Sequence, residues 1–185
     1  NTHATAVLAD YLQPTQVGVG TPGGGVHATR RFVESMPAGH CVVKLDFTNA
    51  FNSLDRGAML DAVKQRVPGI YKFCHLSYSQ PSVLGYMDRI IMSQEGSQQG
   101  DPLGPAMFCS TIQPLLLSLA SELKEAYMDD LTLGGPEAQV ARDVETVRRK
   151  GEAIGLRLND KKCEFISGTA QSSDPAFQHF VHLAV

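Results

Sequence analysis

Leu123-Lys124-Glu125-Ala126-Tyr127-Met128-Asp129-Asp130-Leu131-Thr132-Leu133 joins two short strand-like runs at a pair of acids. Asp-Asp is ordinary turn chemistry, so the stretch predicts a β-hairpin with both carboxylates at its apex. In a regular strand neighbouring side chains point to opposite faces, so two adjacent acids converge on one ion only where the chain bends. Upstream, Cys41-Val42-Val43-Lys44-Leu45-Asp46-Phe47 is a short apolar run rich in β-branched residues, which predicts a buried strand ending in Asp46. Three carboxylates at one sheet edge repel one another unless divalent cations are present, and hard oxygen ligands select Mg²⁺ over zinc or copper. Two such ions about 3.5 to 4 Å apart bind both the attacking and the leaving oxygen of an in-line phosphoryl displacement. The chemistry indicated is nucleotidyl transfer.

Around these acids the chain alternates between helical and strand-like patterns. Residues 1–25, with Pro14, Pro22 and glycines at 18, 20, 23, 24 and 25, read as loop and lead into a helical pattern over 26–36 that Pro37 ends. Ser53 or Asp55 can cap a helix reaching Arg66, and Pro68-Gly69 separates it from a second helix ending near Ser79. Residues 83–86 and 89–93 flank Met87-Asp88 as a hairpin, and a loop follows over 95–104. Pro105 sits at the first turn of a long apolar helix interrupted by Pro114. Gly134-Gly135-Pro136 ends the acidic hairpin, an amphipathic helix over 137–154 stops at Gly155, and residues 163–166 read as a last strand. Mixed order of this kind predicts an α+β domain with an antiparallel sheet.

The chain has 185 residues, 43% of them apolar, enough for one domain with a real core. With 16 Lys+Arg against 19 Asp+Glu its formal charge is −3, so composition alone argues against a polynucleotide partner. No apolar run reaches the roughly 18 residues that cross a bilayer and no leader pattern opens the chain, which reads as an intracellular protein without a membrane partner. Cys41, Cys74, Cys109 and Cys163 stand far apart, the pattern of buried thiols in a reduced compartment. Asn1 at the start and an apolar Val185 at the end read as a piece cut from a longer chain.

Tyr127-Met128-Asp129-Asp130, preceded by Lys44-Leu45-Asp46-Phe47-Thr48-Asn49-Ala50-Phe51-Asn52 and by Gln98-Gln99-Gly100-Asp101-Pro102-Leu103-Gly104-Pro105, resembles the ordered motif set of reverse transcriptases, most of all those of non-LTR retrotransposons. The resemblance spans residues 17–165 and includes Gly155-Leu156-Arg157-Leu158-Asn159 followed by Lys161-Lys162-Cys163-Glu164. It implies an RNA-directed DNA polymerase palm with a split βαβ, ferredoxin-like antiparallel sheet, helices on one face, and part of the fingers. It divides the chain into partial fingers and a Gly-rich connector at 1–36, the palm at 37–167, and a linker with the start of a downstream segment at 168–185.

The resemblance also implies roles. Asp46 and Asp129 would hold two Mg²⁺ ions, with Mn²⁺ as substitute, Asp130 would support them, and the Phe47 carbonyl would join as a backbone ligand. Phe51 would pack under the sugar of a dNTP, where a flat ring leaves a 2′-hydroxyl neither room nor partner. Gln99 would touch the incoming nucleotide, and Gly100 would let backbone approach the template or base pair. Lys162 would act as general acid toward pyrophosphate, with Lys161 as the competing candidate. Implied partners are an RNA template, a DNA primer, dNTP and the fingers, thumb and endonuclease of a polyprotein, and the implied location is the nucleus. An inactive remnant of such an element is the alternative.

Two other patterns compete. Gly18-Val19-Gly20-Thr21-Pro22-Gly23 fits G-x-G-x-x-G, but a dinucleotide-binding module needs an apolar strand just before it, and Gln13-Pro14-Thr15-Gln16 is not one. His179-x-x-His182 has helical ligand spacing without a third ligand nearby. Arg30-Arg31 and Arg148-Arg149-Lys150 read as solvated helix faces.

Overall fold

The apolar run that begins at His40 becomes the middle strand of the main sheet. In the computed structural model, which describes residues 2–19, 26–98, 100–168 and 171–184, the elements in chain order are α1 (Thr2–Leu12), α2 (Val26–Glu34), β1 (His40–Leu45), α3 (Ala50–Ser53), α4 (Arg56–Arg66), α5 (Pro68–Tyr78), β2 (Ser82–Tyr86) and β3 (Arg89–Ser93). They continue with α6 (Gly104–Leu117), β4 (Leu123–Tyr127), β5 (Asp130–Pro136), α7 (Glu137–Glu152), β6 (Glu164–Ser167) and β7 (Val181–Ala184). The main sheet has the order β4-β5-β1-β6-β7, with β1 antiparallel to both β5 and β6. Read through β1, α6, β4, β5, α7 and β6, the chain follows the β-α-β-β-α-β succession of the split, ferredoxin-like arrangement expected from the sequence. An antiparallel central strand also removes the dinucleotide-binding reading, which requires parallel strands. Part of its glycine pattern, from Gly20 to Gly23, lies outside the described residues.

Alternation divides the sheet into two faces. Cys41, Val43 and Leu45 of β1, Leu131 and Leu133 of β5, and Phe165 of β6 point to the closed face and are buried in the main core. There they meet Val140, Val144 and Val147 of α7 and the long apolar α6, whose Met107, Phe108, Cys109, Ile112, Leu115 and Leu116 are all buried. A helix apolar all round belongs in the interior, and α1, α4 and α7 pack about it. The expected helix caps hold: Asp55 accepts the Ala58 N–H at 2.7 Å, and Gly155 takes a left-handed φ of 84° after α7.

Among the described residues, the opposite face is covered at one end, by α2. Val42 and Leu123 are buried outside the main core, beneath α2, whose Thr29 hydroxyl donates to Glu125 at 2.8 Å. A Cβ on Gly134 would meet the Phe32 ring at 2.9 Å. Helices therefore stand on both faces, not on one as the sequence suggested. The same close approach explains a second difference: Gly134, Gly135 and Pro136 do not end the hairpin but stay paired with Val42, Cys41 and His40.

Within 168–185, read from sequence as a linker and the start of a downstream segment, the chain forms a 3-10 turn at Pro175–Phe177 and then β7, parallel to β6. Phe177 is fully buried, its ring 4.9 Å from that of Phe165. The His179–His182 spacing does not produce a ligand pair, because the His182 ring lies against Phe165 and bonds the Phe177 carbonyl while His179 bonds Gln178. All four cysteines are free and buried, as expected.

The β2–β3 hairpin forms its own two-stranded sheet and leaves Ile90 75% exposed, whereas Leu133 is fully buried at the sheet centre. Leu133→Ala should therefore cost about 2 to 5 kcal/mol in denaturant unfolding. Ile90→Ala should stay within about 0.5 kcal/mol of the wild type in the same measurement.

Candidate active site

Register places the acids. Leu45 of β1 lies opposite Leu131 of β5 on the closed face, so the next residues outward, Asp46 and Asp130, come to the same end of the open face. The hairpin turn is one residue earlier than the sequence suggested: Tyr127 pairs with Asp130, and the turn itself is Met128-Asp129. Met128 adopts a left-handed φ of 58°, a conformation costing a non-glycine residue on the order of 1 kcal/mol. That bend frees Asp129 from strand alternation.

The carboxylates act on one another electrostatically. Partial burial raises the Asp129 pKa above its ordinary 3.8, its own backbone N–H opposes this, and the charges of Asp130 and Asp46 raise it further. Asp130 is exposed and pairs with Lys44 at 4.0 Å, Lys44 standing two residues before Asp46 on the same face. Among the described residues no group of three His, Cys, Asp or Glu side chains is arranged to hold a metal ion unaided. The donors gathered here are nonetheless all oxygens and mutually repulsive, which is the chemistry a hard divalent cation relieves.

Asp46 is fixed from behind by its main chain. Its N–H donates to the Cys163 sulfur at 3.4 Å and its carbonyl accepts from Asn159 N–H at 2.8 Å, while Phe47 bridges Leu158 and Thr48 N–H donates to the Arg157 carbonyl at 2.8 Å. Burial, with a smaller push from the Asp46 charge, raises the Cys163 thiol to about 11. Below the turn, burial and the charge of Asp129 raise the Cys109 thiol of α6 to about 12. Both thiols are thus neutral. Lys161 and Lys162 are both exposed, and it is Lys161 that lines a cleft of about 560 Å³ with Thr48, Asn159 and His179.

Phe51 sits half-buried on α3, stacked on Phe108 with ring centroids 4.5 Å apart. Its carbonyl accepts from Ser97 N–H at 2.9 Å, and Gly96, with φ 63°, comes so close that a Cβ would meet the Phe51 oxygen at 2.2 Å. The loop bearing Gly100 is therefore stitched to the helix bearing Phe51. Gly100 takes a left-handed φ of 87° and is exposed, and Gln99 lies outside the described residues. The loop is anchored by a buried network that the sequence did not reveal. The Arg56 guanidinium donates to the Gly96 and Ser93 carbonyls at 2.9 Å each and to the Ser93 hydroxyl at 2.8 Å, and lies over the Tyr78 ring. Tyr78 donates to the Asp101 carboxylate, and burial followed by that hydrogen bond pushes its phenol up to about 12.

The sequence profile of the reverse transcriptase (RNA-dependent DNA polymerase) family matches residues 3–177. The chain belongs to the reverse transcriptase family. The retrotransposable element SLACS 132 kDa protein of Trypanosoma brucei gambiense is 25% identical over 139 residues, 69% of this chain and 12% of that protein. Among solved structures, apo telomerase from Candida tropicalis superposes with a TM-score of 0.68 at 12% identity, covering 93% of this chain and 36% of that one. Telomerase from Candida albicans with a fragment of telomeric RNA gives 0.59 at 12% identity, covering 93% and 32%. At such identities the telomerase likeness speaks for the fold. Divalent metal ions and a nucleic-acid template are general to the chemistry of that family. Spanning 12% of the SLACS protein, this reverse transcriptase domain is far shorter than that relative.

Like-charge repulsion at Asp129 has a measurable sign. Its folded pKa is raised, so ionisation penalises the folded state above that pKa and carries no penalty below 3.8, where the carboxyl is protonated in both states. In chelator, Asp129→Asn should raise the melting temperature at pH 7, and the gain should vanish as pH falls below 3.8. A gain independent of pH would contradict this electrostatic account.

Proposed function

We propose that this reverse transcriptase domain is the palm of an RNA-directed DNA polymerase belonging to a non-LTR retrotransposon-type polyprotein, extending a DNA primer on an RNA template with dNTPs. The observation that carries the reading is the β1–β5 register, which brings Asp46 to the open sheet edge beside Asp129 and Asp130. Asp46, Asp129, the supporting Asp130 and the Phe47 carbonyl would hold two Mg²⁺ ions, or Mn²⁺ in their place. Bound there, the ions supply charge neutralisation for the attacking primer oxygen and the leaving pyrophosphate.

The chain's own groups do the rest. Asp130 is exposed and Asp46 and Asp129 are partly so, which would leave the acids accessible to a primer terminus. Phe51, backed by Phe108 and held by the Gly96 loop, presents an apolar surface to the sugar and discriminates against a 2′-hydroxyl. Gly100 lies on the anchored loop where the incoming base pair would be contacted, and Gln99 would touch the incoming nucleotide. Lys161 or Lys162 supplies the proton to pyrophosphate, Lys161 being the one in the cleft beside Thr48.

Primer extension by the full polypeptide that carries this chain tests the reading. Asp129→Ala should lower extension on the order of 1,000-fold or more, as expected when several kcal/mol of charge stabilisation is lost. Undiminished extension would remove Asp129 from the site. Phe51→Val should admit ribonucleotides that the wild type rejects, measured as the ratio of kcat/KM for dNTP over NTP; an unchanged ratio would end the gate assignment.

A further inference from the structure

Gln16 is fully buried, although it belongs to no helix or long strand. Residues 15–17 run parallel along the free edge of β4: Ala126 N–H donates to the Thr15 carbonyl at 2.8 Å and Val17 N–H to the Ala126 carbonyl at 2.7 Å. This lays the Gln16 side chain against the acidic turn. Its Oε1 accepts the Met128 N–H at 2.7 Å and the Gly18 N–H at 3.2 Å, and its Nε2 donates to the Met128 carbonyl at 3.1 Å. One primary amide thus binds both main-chain polar groups of the residue whose φ of 58° forms the bend. Gly18 closes the arrangement, since a Cβ there would meet the Met128 nitrogen and Cγ at 2.8 Å.

We propose that Gln16 is a positioning residue for the reaction: its amide holds Met128 in the left-handed conformation and so keeps the adjacent Asp129 carboxylate beside Asp46. The inference rests on the polymerase reading above and deepens it. Turns with positive φ normally recruit Gly, Asn or Asp, and methionine has no such preference. The conformation is therefore imposed from outside the hairpin. Only an amide answers the need, which is for one acceptor and one donor about a turn apart. A carboxylate at position 16 would face the Met128 carbonyl with a second acceptor and add charge beside Asp129. Alanine would leave both Met128 groups without their side-chain partner.

The test combines single-nucleotide extension on an RNA template by the full polypeptide with amide exchange measured on the same protein. Gln16→Ala should lower kcat about 10- to 100-fold, the scale expected for a slightly misplaced catalytic group, with the dNTP KM within about twofold. The Mg²⁺ concentration for half-maximal rate should rise, and Gln16→Glu should behave likewise. Exchange at the Met128 amide should quicken while Val43 and Leu133 keep their protection. Adding Met128→Gly to Gln16→Ala should recover part of kcat, because glycine adopts positive φ freely. The proposal is overturned if Gln16→Ala leaves kcat and the Mg²⁺ midpoint unchanged, or if the loss is matched by equal loss of protection at Val43. If the wild type extends no primer, the polymerase reading fails, and Met128 exchange still reports separately whether Gln16 fixes the turn.

Discussion

The antiparallel pairing of β1 with β5 sets Leu45 opposite Leu131, and every other placement at the site follows from that register. Side chains on paired strands alternate together, so burying Val43, Leu45, Leu131 and Leu133 against α6 and α7 obliges Lys44, Asp46 and Asp130 to the other face. A slip of β1 by one residue would drive Lys44 and Asp46 into the core and expose Val43 and Leu45. Hydrophobic burial of roughly 1.5 to 3 kcal/mol per such side chain thereby fixes the position of the charges. The core selects the register, and the register delivers the acids.

Once delivered, the acids work against the fold. The Asp46 and Asp130 charges, together with partial burial, hold the Asp129 carboxyl above its ordinary pKa, and the bend beside it keeps a methionine in left-handed geometry. Each is a local cost that persists because rigid neighbours over-determine it. Cys163 and Asn159 secure the main chain of Asp46, while Gln16 and Gly18 close on Met128. Neutral thiols beneath the acids add no further charge, since burial pushes Cys109 to about 12 and Cys163 to about 11. Strain and repulsion are concentrated where a bound cation and substrate would relieve them.

What the sequence disclosed was what short-range pattern encodes. The β-branched run at 41–45, the caps at Asp55 and Gly155, and the order of elements from α2 to β6 were legible, because each depends on residues within one turn or one strand, whereas α1 was not, since residues 1–25 read as loop. The exact hairpin apex was not, because Met128 carries no turn signature and its geometry is set by Gln16, 112 positions away. Gly134 and Gly135 read as a stop signal, yet they are paired strand residues left small for Phe32 and Glu122 to approach. The last strand was hidden for a similar reason: polar, Ser-rich 167–174 reads as linker, and only burial of Phe177 against Phe165 draws the chain back to the sheet. Lys44 could have been noticed, since its place two residues before Asp46 fixes its face by alternation alone.

The site is also divided in its construction. The acids hang from the sheet, whereas Phe51 and the Gly100 loop hang from α3, α4 and α5 through Arg56, Tyr78, Asp101 and the close approach of Gly96. The two assemblies meet at α6, where Phe108 stacks on Phe51 and Cys109, the next residue, senses the charge of Asp129. Adjacent residues of one buried helix therefore tie the group that would select the sugar to the groups that would carry the charge. A helix buried along this stretch transmits displacement rather than absorbing it, so Phe51 and Asp129 share one rigid reference.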